Sequence, residues 1–166
     1  MIVFDFKQGS PEWLAIRTGI PTASRFGNIL TAKTRKPSAS AARYMCDLIA
    51  ERIIGSPVDT ASSEFMLRGS AMESEAVAAY EFEHDCECKA VGFVMDDSRR
   101  WGCSPDRLVG DDGLLEIKCP SAGVHVAALL GMQDDEHAAQ AQGQLWITGR
   151  AWVDLMYYNP LMPTHT

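Results

Sequence analysis

Residues 104–120, SPDRLVGDDGLLEIKCP, leave the backbone few choices. Two short runs of strand formers, Arg107–Val109 and Leu114–Lys118, flank Gly-Asp-Asp-Gly, which can turn a chain back on itself within a few residues. The pair reads as a tight antiparallel hairpin with Asp106 just before its first strand. Strand side chains alternate, so Glu116 and Lys118 share one face while Ile117 points into the core. Folding back across the turn can bring Asp106 beside Glu116. Two carboxylates meeting with a lysine suit a hard divalent cation, which takes oxygen ligands, and the backbone carbonyl of Ile117 can add another. Lys118 would then stand where it can orient an attacking water or counter charge growing on a phosphate. The same residues also describe an ordinary hairpin with a solvated polar face, and the short PD…ExK pattern alone does not choose between the two.

The rest of the chain supplies a frame for that hairpin. Thr22-Ala23-Ser24 can open a short helix through Leu30 with a hydroxyl at the cap. Residues 40–54 carry Tyr44, Leu48, Ile49 and Ile53 at amphipathic helical spacing and end at Gly55. A longer helix is expected from about Ser63 to His84, through Met66, Ala76, Val77 and Tyr80. Lys89–Met95 and Trp101–Cys103 read as strands separated by the turn DDSRR. Two helical stretches, near 121–131 and 134–147, and an alternating strand, Ala151–Tyr158, follow Pro120. Helices, a strand meander, helices and a strand make an α/β or α+β layout with a central mixed β-sheet flanked by helices. At 166 residues and 46% apolar, this fits one domain spanning 1–166. The polar segment Thr31–Ser40, TAKTRKPSAS, reads as an exposed loop, either a nucleic-acid contact or a spacer.

Charge bears on what such a site could act upon. The net charge of −7 conceals a split: residues 1–60 hold eight Lys/Arg against five Asp/Glu, and residues 61–166 hold seven against seventeen. Phosphate binding needs local positive charge rather than a basic protein, and acidic residues around divalent cations belong to the chemistry of a metal nuclease. The composition permits DNA binding without demonstrating it. No run of eighteen apolar residues offers a membrane span, and MIVFDFKQGSPEW lacks the layout of a signal peptide, so the cytosol is the expected compartment. Five cysteines, an odd number, argue against a disulfide framework. Cys86 and Cys88 alone are a weak metal motif, and reduced, mostly buried thiols are the expectation ahead of an iron–sulfur cluster.

Two further segments gain meaning beside the hairpin. In GSAMESEAVAAYE, Glu73 lies three and four residues before Ala76 and Val77, on the border of the inward helix face. It could reach the metal site as a second-metal or water-mediated ligand, or remain an exposed helix glutamate. In AQAQGQLW, Gln140, Gln142 and Gln144 stand on a helix that ends in Trp146. Such glutamines are informative only in company.

Together WLAIRTGIPTAS, GSAMESEA, CSPDRLVGDDGLLEIKCP, AQAQGQLWIT and YYNP resemble, in order and over residues 8–160, the motif series of phage lambda-type exonucleases. These form the viral recombinase nuclease family of the PD-(D/E)XK superfamily. The resemblance implies that Asp106, Glu116 and the Ile117 carbonyl bind metal, that Lys118 is the catalytic lysine, and that Glu73 and Gln142 complete the active site. It also implies that Arg17, Ser24 and Ser104 hold a terminal 5′ phosphate, roles that suit an Arg fork and hydroxyls. The implied cofactor is Mg²⁺, with Mn²⁺ as a substitute, one or two ions per site. The implied partners are double-stranded DNA ends, a single-strand-annealing recombinase and a homotrimeric ring, in the cytoplasm of a bacterium carrying a phage or prophage. Relatives continue beyond YYNP with a strand and a terminal helix, so either residues past 166 are missing or this is a minimal form, and the ring hangs on which.

The expected function is a metal-dependent 5′→3′ exonuclease that degrades one strand of linear duplex DNA and leaves 3′ single strands for annealing. An endonuclease or a single-strand-specific nuclease on the same core is the alternative. A silent DNA-binding subunit would need an essential ligand to be absent, and Asp106, Glu116, Lys118 and Glu73 are all present.

Overall fold

A computed structural model describes residues 1–31, 33–58, 64–132 and 137–166, with the side chains of 64–71 excepted. The chain forms two compact units whose segments alternate along the sequence. Met1–Thr60, Val91–Pro105 and Asp135–Ala151 make the first; Ala61–Ala90, Asp106–Asp134 and Trp152–Thr166 make the second.

In the first unit, β1 (Ile2–Phe4), β3 (Phe93–Met95) and β4 (Gly102–Cys103) form an antiparallel sheet in the order β1-β3-β4. Helix α1 (Pro11–Arg17) starts at Ser10, whose side chain accepts from the Trp13 N–H, with Pro11 in its first turn. This helix and strand β1 are absent from the sequence expectations. The expected short helix is a 3₁₀ helix, Ala23–Asn28, and the Thr22 hydroxyl makes no cap bond but pairs with Ser24 Oγ. Helix α2 (Ala41–Ile54) ends where Gly55 takes a left-handed φ of 79°, as its sequence suggests. Its inner face differs from the expectation. Tyr44 is buried, but Ile49 and Ile53 are 49% and 80% exposed, because Glu51 and Arg52 instead bond the backbone of Gly19. Helix α5 (Ala138–Thr148) lies against the 3₁₀ helix and ends at Gly149.

The second unit holds helix α3 (Glu64–His84), helix α4 (Ala122–Leu129) and a mixed sheet in the order β2-β5-β6-β7. Its strands are β2 (Cys88–Ala90), β5 (Arg107–Val109), β6 (Gly113–Lys118) and β7 (Trp152–Tyr157). The expected strand over Lys89–Met95 is thus two strands, β2 and β3, in different sheets. Gly92 lies between them where a Cβ would strike the backbone of Phe4 and Phe6, so no bulkier residue fits that break. The α+β class stands, with the strands divided between two sheets. Strands β5 and β6 form the expected antiparallel hairpin, Arg107 facing Leu115 and Val109 facing Gly113, and β7 runs parallel to β6. Ala76, Val77 and Tyr80 of α3 pack on Val109, Leu115, Ile117 and Met156. Alternation in β6 therefore sends Leu115 and Ile117 toward α3, and Glu116 and Lys118 to the other face.

Cys103 is buried, Cys86, Cys88 and Cys119 border the second unit's core, and Cys46 is exposed. Among the described residues, no helix is long and apolar enough to cross a membrane.

Candidate active site

The hairpin delivers its polar residues to one place, where Asp106 and Lys118 are half-buried and Glu116 is buried. Glu116 is only 5% exposed. Asp106, one residue before β5, accepts a 2.6 Å hydrogen bond from the Ile117 N–H at Oδ2. Lys118 Nζ donates to Glu116 Oε1 at 2.7 Å. These contacts remove the solvated-hairpin reading, since a buried carboxylate that lacked chemistry or a partner would be costly. Burial first, and the Glu116 charge second, push the Asp106 carboxyl up to about 7, with Glu73 adding to the rise and Lys118 and the Ile117 N–H opposing it. A carboxyl held back from ionising by burial and a neighbouring carboxylate is short of positive charge.

That deficit, met by oxygen donors alone, is what a hard divalent cation corrects. Among the described residues no three His, Cys, Asp or Glu side chains converge as ligands. Within a ladder, one residue's N–H and C=O face the same neighbour. Ile117 gives its N–H to Asp106, so its carbonyl is turned to the same side of the strand.

Glu73 stands in the described part of α3, yet its carboxylate is taken by Arg107, whose Nη1 reaches Glu73 Oε1 at 2.6 Å and the Asp106 carbonyl at 2.5 Å. Arg107 was missed from sequence. It follows the aspartate directly, and an arginine on a strand next to an acidic cluster was the available signal.

The other expected residues, Arg17, Ser24, Ser104 and Gln142, lie in the first unit. Arg17 is half-buried in the last turn of α1, its Cζ 4.0 Å from the centroid of the Trp13 ring. Desolvation lowers its pKa, while Tyr44 and Glu51 oppose that and Arg25 adds to it. The same Trp13 donates from Nε1 to Ser104 Oγ at 2.9 Å and to the Gly92 carbonyl at 3.1 Å. One indole thus touches both Arg17 and Ser104. Trp13 was also missed, though Trp and Arg four apart on a helix was a usable sign. Beside Arg17, a cavity of about 380 Å³ is lined by Thr22, Arg25, Arg43 and Tyr44. Ser24 is exposed, and it is joined to this wall through Thr22, whose N–H donates to the Tyr44 hydroxyl at 3.2 Å. Asp47, which pairs with Arg43 at 3.0 Å, and Glu51 line the same cavity, so Arg17 and Arg25 with the neighbouring hydroxyls are the groups suited to an anion. Gln142 lines a different groove of this unit, beside Phe26 and Trp146.

Comparison with known proteins places the whole chain in a family. The sequence profile of the YqaJ-like viral recombinase domain matches residues 12–151. The crystal structure of an alkaline exonuclease (LHK-Exo) from Laribacter hongkongensis is 36% identical, with a TM-score of 0.80 over 93% of this chain and 76% of that one. The same figures hold for LHK-Exo in complex with dAMP. A phage-related exonuclease from Haemophilus somnus 129PT shares the fold alone, at 14% identity and a TM-score of 0.64 over 84% of this chain and 68% of its own. No curated protein sequence matches the chain. With a family profile that runs from α1 to the end of α5, and a relative whose fold follows nearly its whole length, this protein belongs to the YqaJ-like viral recombinase family and has the fold of its PD-(D/E)XK-type alkaline exonuclease relative.

Proposed function

We propose that the chain is a metal-dependent DNA exonuclease that removes nucleotides from the 5′ end of one strand of linear duplex DNA. The observation that carries this is the meeting of buried Glu116 with half-buried Asp106 and Lys118 on one hairpin, with Asp106 pushed up to about 7. Asp106, Glu116 and the Ile117 carbonyl would hold a divalent cation, Mg²⁺ by the hardness of its donors and Mn²⁺ as substitute, with Glu73 as an outer ligand. When bound, such a cation supplies Lewis-acid stabilisation of phosphoryl oxygens and activation of water. The chain's own residues do the rest. Lys118 brings a fixed ammonium to the phosphate as negative charge grows on it. Glu116 accepts from Lys118 and keeps that ammonium in place. Arg107 restrains Glu73 and the backbone of Asp106 from the other side.

The 5′ polarity draws support from Arg17 and Ser104, linked by Trp13, and from Ser24 next to the same arginine-lined cavity. Gln142 would complete the DNA contacts. The relative solved with dAMP is an alkaline exonuclease, and a deoxynucleoside monophosphate is what stepwise cutting of a DNA strand releases. The 3′ single strand left behind would pass to a single-strand-annealing recombinase, in a bacterial cytoplasm.

The test incubates the protein with Mg²⁺ and linear duplexes carrying a 5′ phosphate on both strands, one strand or neither, with a closed circle as control. Loss of only the phosphorylated strand, with the circle intact, is expected. Cutting of the circle would move the protein to the endonuclease alternative. Lys118→Ala should lower cutting by at least about 100-fold while leaving DNA binding in place; wild-type turnover in that variant would remove the assignment.

A further inference from the structure

The first unit carries a second surface suited to DNA, and its shape points to bases rather than phosphates. A groove of about 620 Å³, within the size range of ligand sites, is lined by Phe26, Leu30, Arg35, Gln142, Gly143 and Trp146. Trp146 is 61% exposed, which is unusual for the largest side chain. It is nonetheless held in place: its ring centroid lies 5.2 Å from that of Trp101 and 6.3 Å from that of Phe26, and Phe26 meets Trp101 edge-on at 5.8 Å. Gly143 lets α5 come this close, because a Cβ there would sit 2.5 Å from the Phe26 ring. The outcome is an indole fixed along one side and open to solvent on the rest.

Positive charge is built in beside it. The segment after the 3₁₀ helix is no loose connector. Leu30 and Pro37 bridge, the Thr31 N–H donates to the Lys36 carbonyl at 2.9 Å, and the Arg35 N–H donates to the Thr31 carbonyl at 2.9 Å. Arg35 stands at the tip of this small turn with φ 54°, exposed, between the exposed Lys33 and Lys36. Among the described residues that line the groove, Arg35 is the charged one and none is a carboxylate.

We propose that this groove is a stacking site for unpaired nucleobases of single-stranded DNA, with Trp146 as the platform and Arg35 as the cation over or beside the stacked base. An open aromatic face beside a cationic turn is how single strands are held without sequence preference. Gln142 offers an amide to the edge of the same base. The site deepens the DNA-exonuclease reading and rests on it for its ligand: digestion of one strand generates single-stranded DNA at the enzyme.

Fluorescence anisotropy of labelled oligothymidylate of about twelve nucleotides, in EDTA so that nothing is cut, tests the site. The same-length strand of abasic residues keeps the phosphates and removes the bases. Wild-type protein should bind the thymidylate about 5- to 100-fold more tightly than the abasic strand. Trp146→Ala should erase that ratio, Trp146→Phe should keep most of it, and Arg35→Glu should weaken both strands. Equal binding of the two strands by wild type, or an unchanged ratio in Trp146→Ala, overturns the proposal. So does a Trp146→Ala protein whose oligomeric state changes while its DNA binding does not, which would assign the groove to a second copy of the chain. If Trp146→Ala fails to fold, the wild-type ratio and the Phe and Glu variants decide. Digestion of linear duplex with Mg²⁺, measured in parallel, separates the two ideas: base-dependent binding without digestion leaves the stacking site standing and removes the nuclease reading.

Discussion

Asp106 is the residue at which the fold and the proposed chemistry pull against each other. Its pKa is raised from an ordinary 3.8 to about 7 by burial and by Glu116. Between those values the folded chain holds a proton that the unfolded chain has released, so this group's contribution to stability falls as pH rises from about 4 to about 7. In the absence of divalent cations, Asp106→Asn should therefore raise the melting temperature at pH 8 by a few degrees and change little at pH 4. Its amide oxygen can still accept from the Ile117 N–H. Differential scanning fluorimetry across pH checks this, and equal shifts at both pH values would show that the carboxylate is not strained. Arg107 makes the complementary case. Replacing it by Met leaves the Glu73 charge uncompensated near Asp106, so the Asp106 carboxyl should rise further. The acidic limb of the pH–rate profile should then move to higher pH, with turnover lowered about 10- to 100-fold, and Arg107→Lys should restore much of both. An exposed ion pair with no part in the site would leave the profile where it was. Asp106, Glu116 and Lys118 were legible in sequence because strand alternation and a short turn fix where they point. The Glu73–Arg107 pair was not, because it joins residues 34 positions apart and depends on how α3 crosses β5.

At the scale of elements, the sheets are set by contacts the sequence signals only weakly. The hairpin of β5 and β6 and the strand β7 could be read directly, since each has alternating apolar residues and clear turn punctuation. The break between β2 and β3 could not, because KAVGFVM is uniformly rich in strand formers and only the backbone approach at Gly92 divides it. Helix α2 shows the opposite error. Amphipathic spacing suggested that Ile49 and Ile53 point inward, but the covered stripe runs through Tyr44, Leu48 and Glu51, and side-chain bonds from Glu51 and Arg52 to Gly19 set the helix's rotation. The docking of α5 on the 3₁₀ helix is likewise a close approach, dependent on Gly143. A Cβ there would lie 2.5 Å from Phe26 and 3.1 Å from the Ala23 Cβ, and neither neighbour can swing aside as a flexible chain end would. Gly143→Ala should cost about 1–3 kcal/mol of stability despite its better helix propensity, a loss read by urea unfolding. Phe26→Leu in the same chain should return part of it; a neutral or stabilising Gly143→Ala would mean that α5 has room to spare.

For the molecule as a whole, the uneven charge is the property that ties stability to activity. The basic residues that line the arginine cavity come from the first sixty residues, whereas the seventeen Asp and Glu of residues 61–166 include Glu73, Asp106 and Glu116. An acidic region of this kind is held together better once a divalent cation binds the native state, which stabilises it by mass action. At a cation concentration ten times the dissociation constant the gain is about 1.4 kcal/mol, or roughly 3–6 °C in melting temperature for a chain of this size. Calcium suits the measurement, because it takes the same oxygen donors without DNA present. The Asp106 carboxyl at about 7 gives the effect a pH dependence of definite sign. At pH 8 the cation meets an ionised carboxylate; at pH 6 it must displace a proton, and its apparent affinity should be about tenfold weaker. Lys118→Ala, which removes a competing positive charge, should keep or enlarge the shift, while Asp106→Asn should abolish most of it. Should Asp106→Asn melt with the full calcium shift at both pH values, the cations would be binding elsewhere on the acidic surface, and the carboxylate pair of the hairpin would lose its assignment as the metal site.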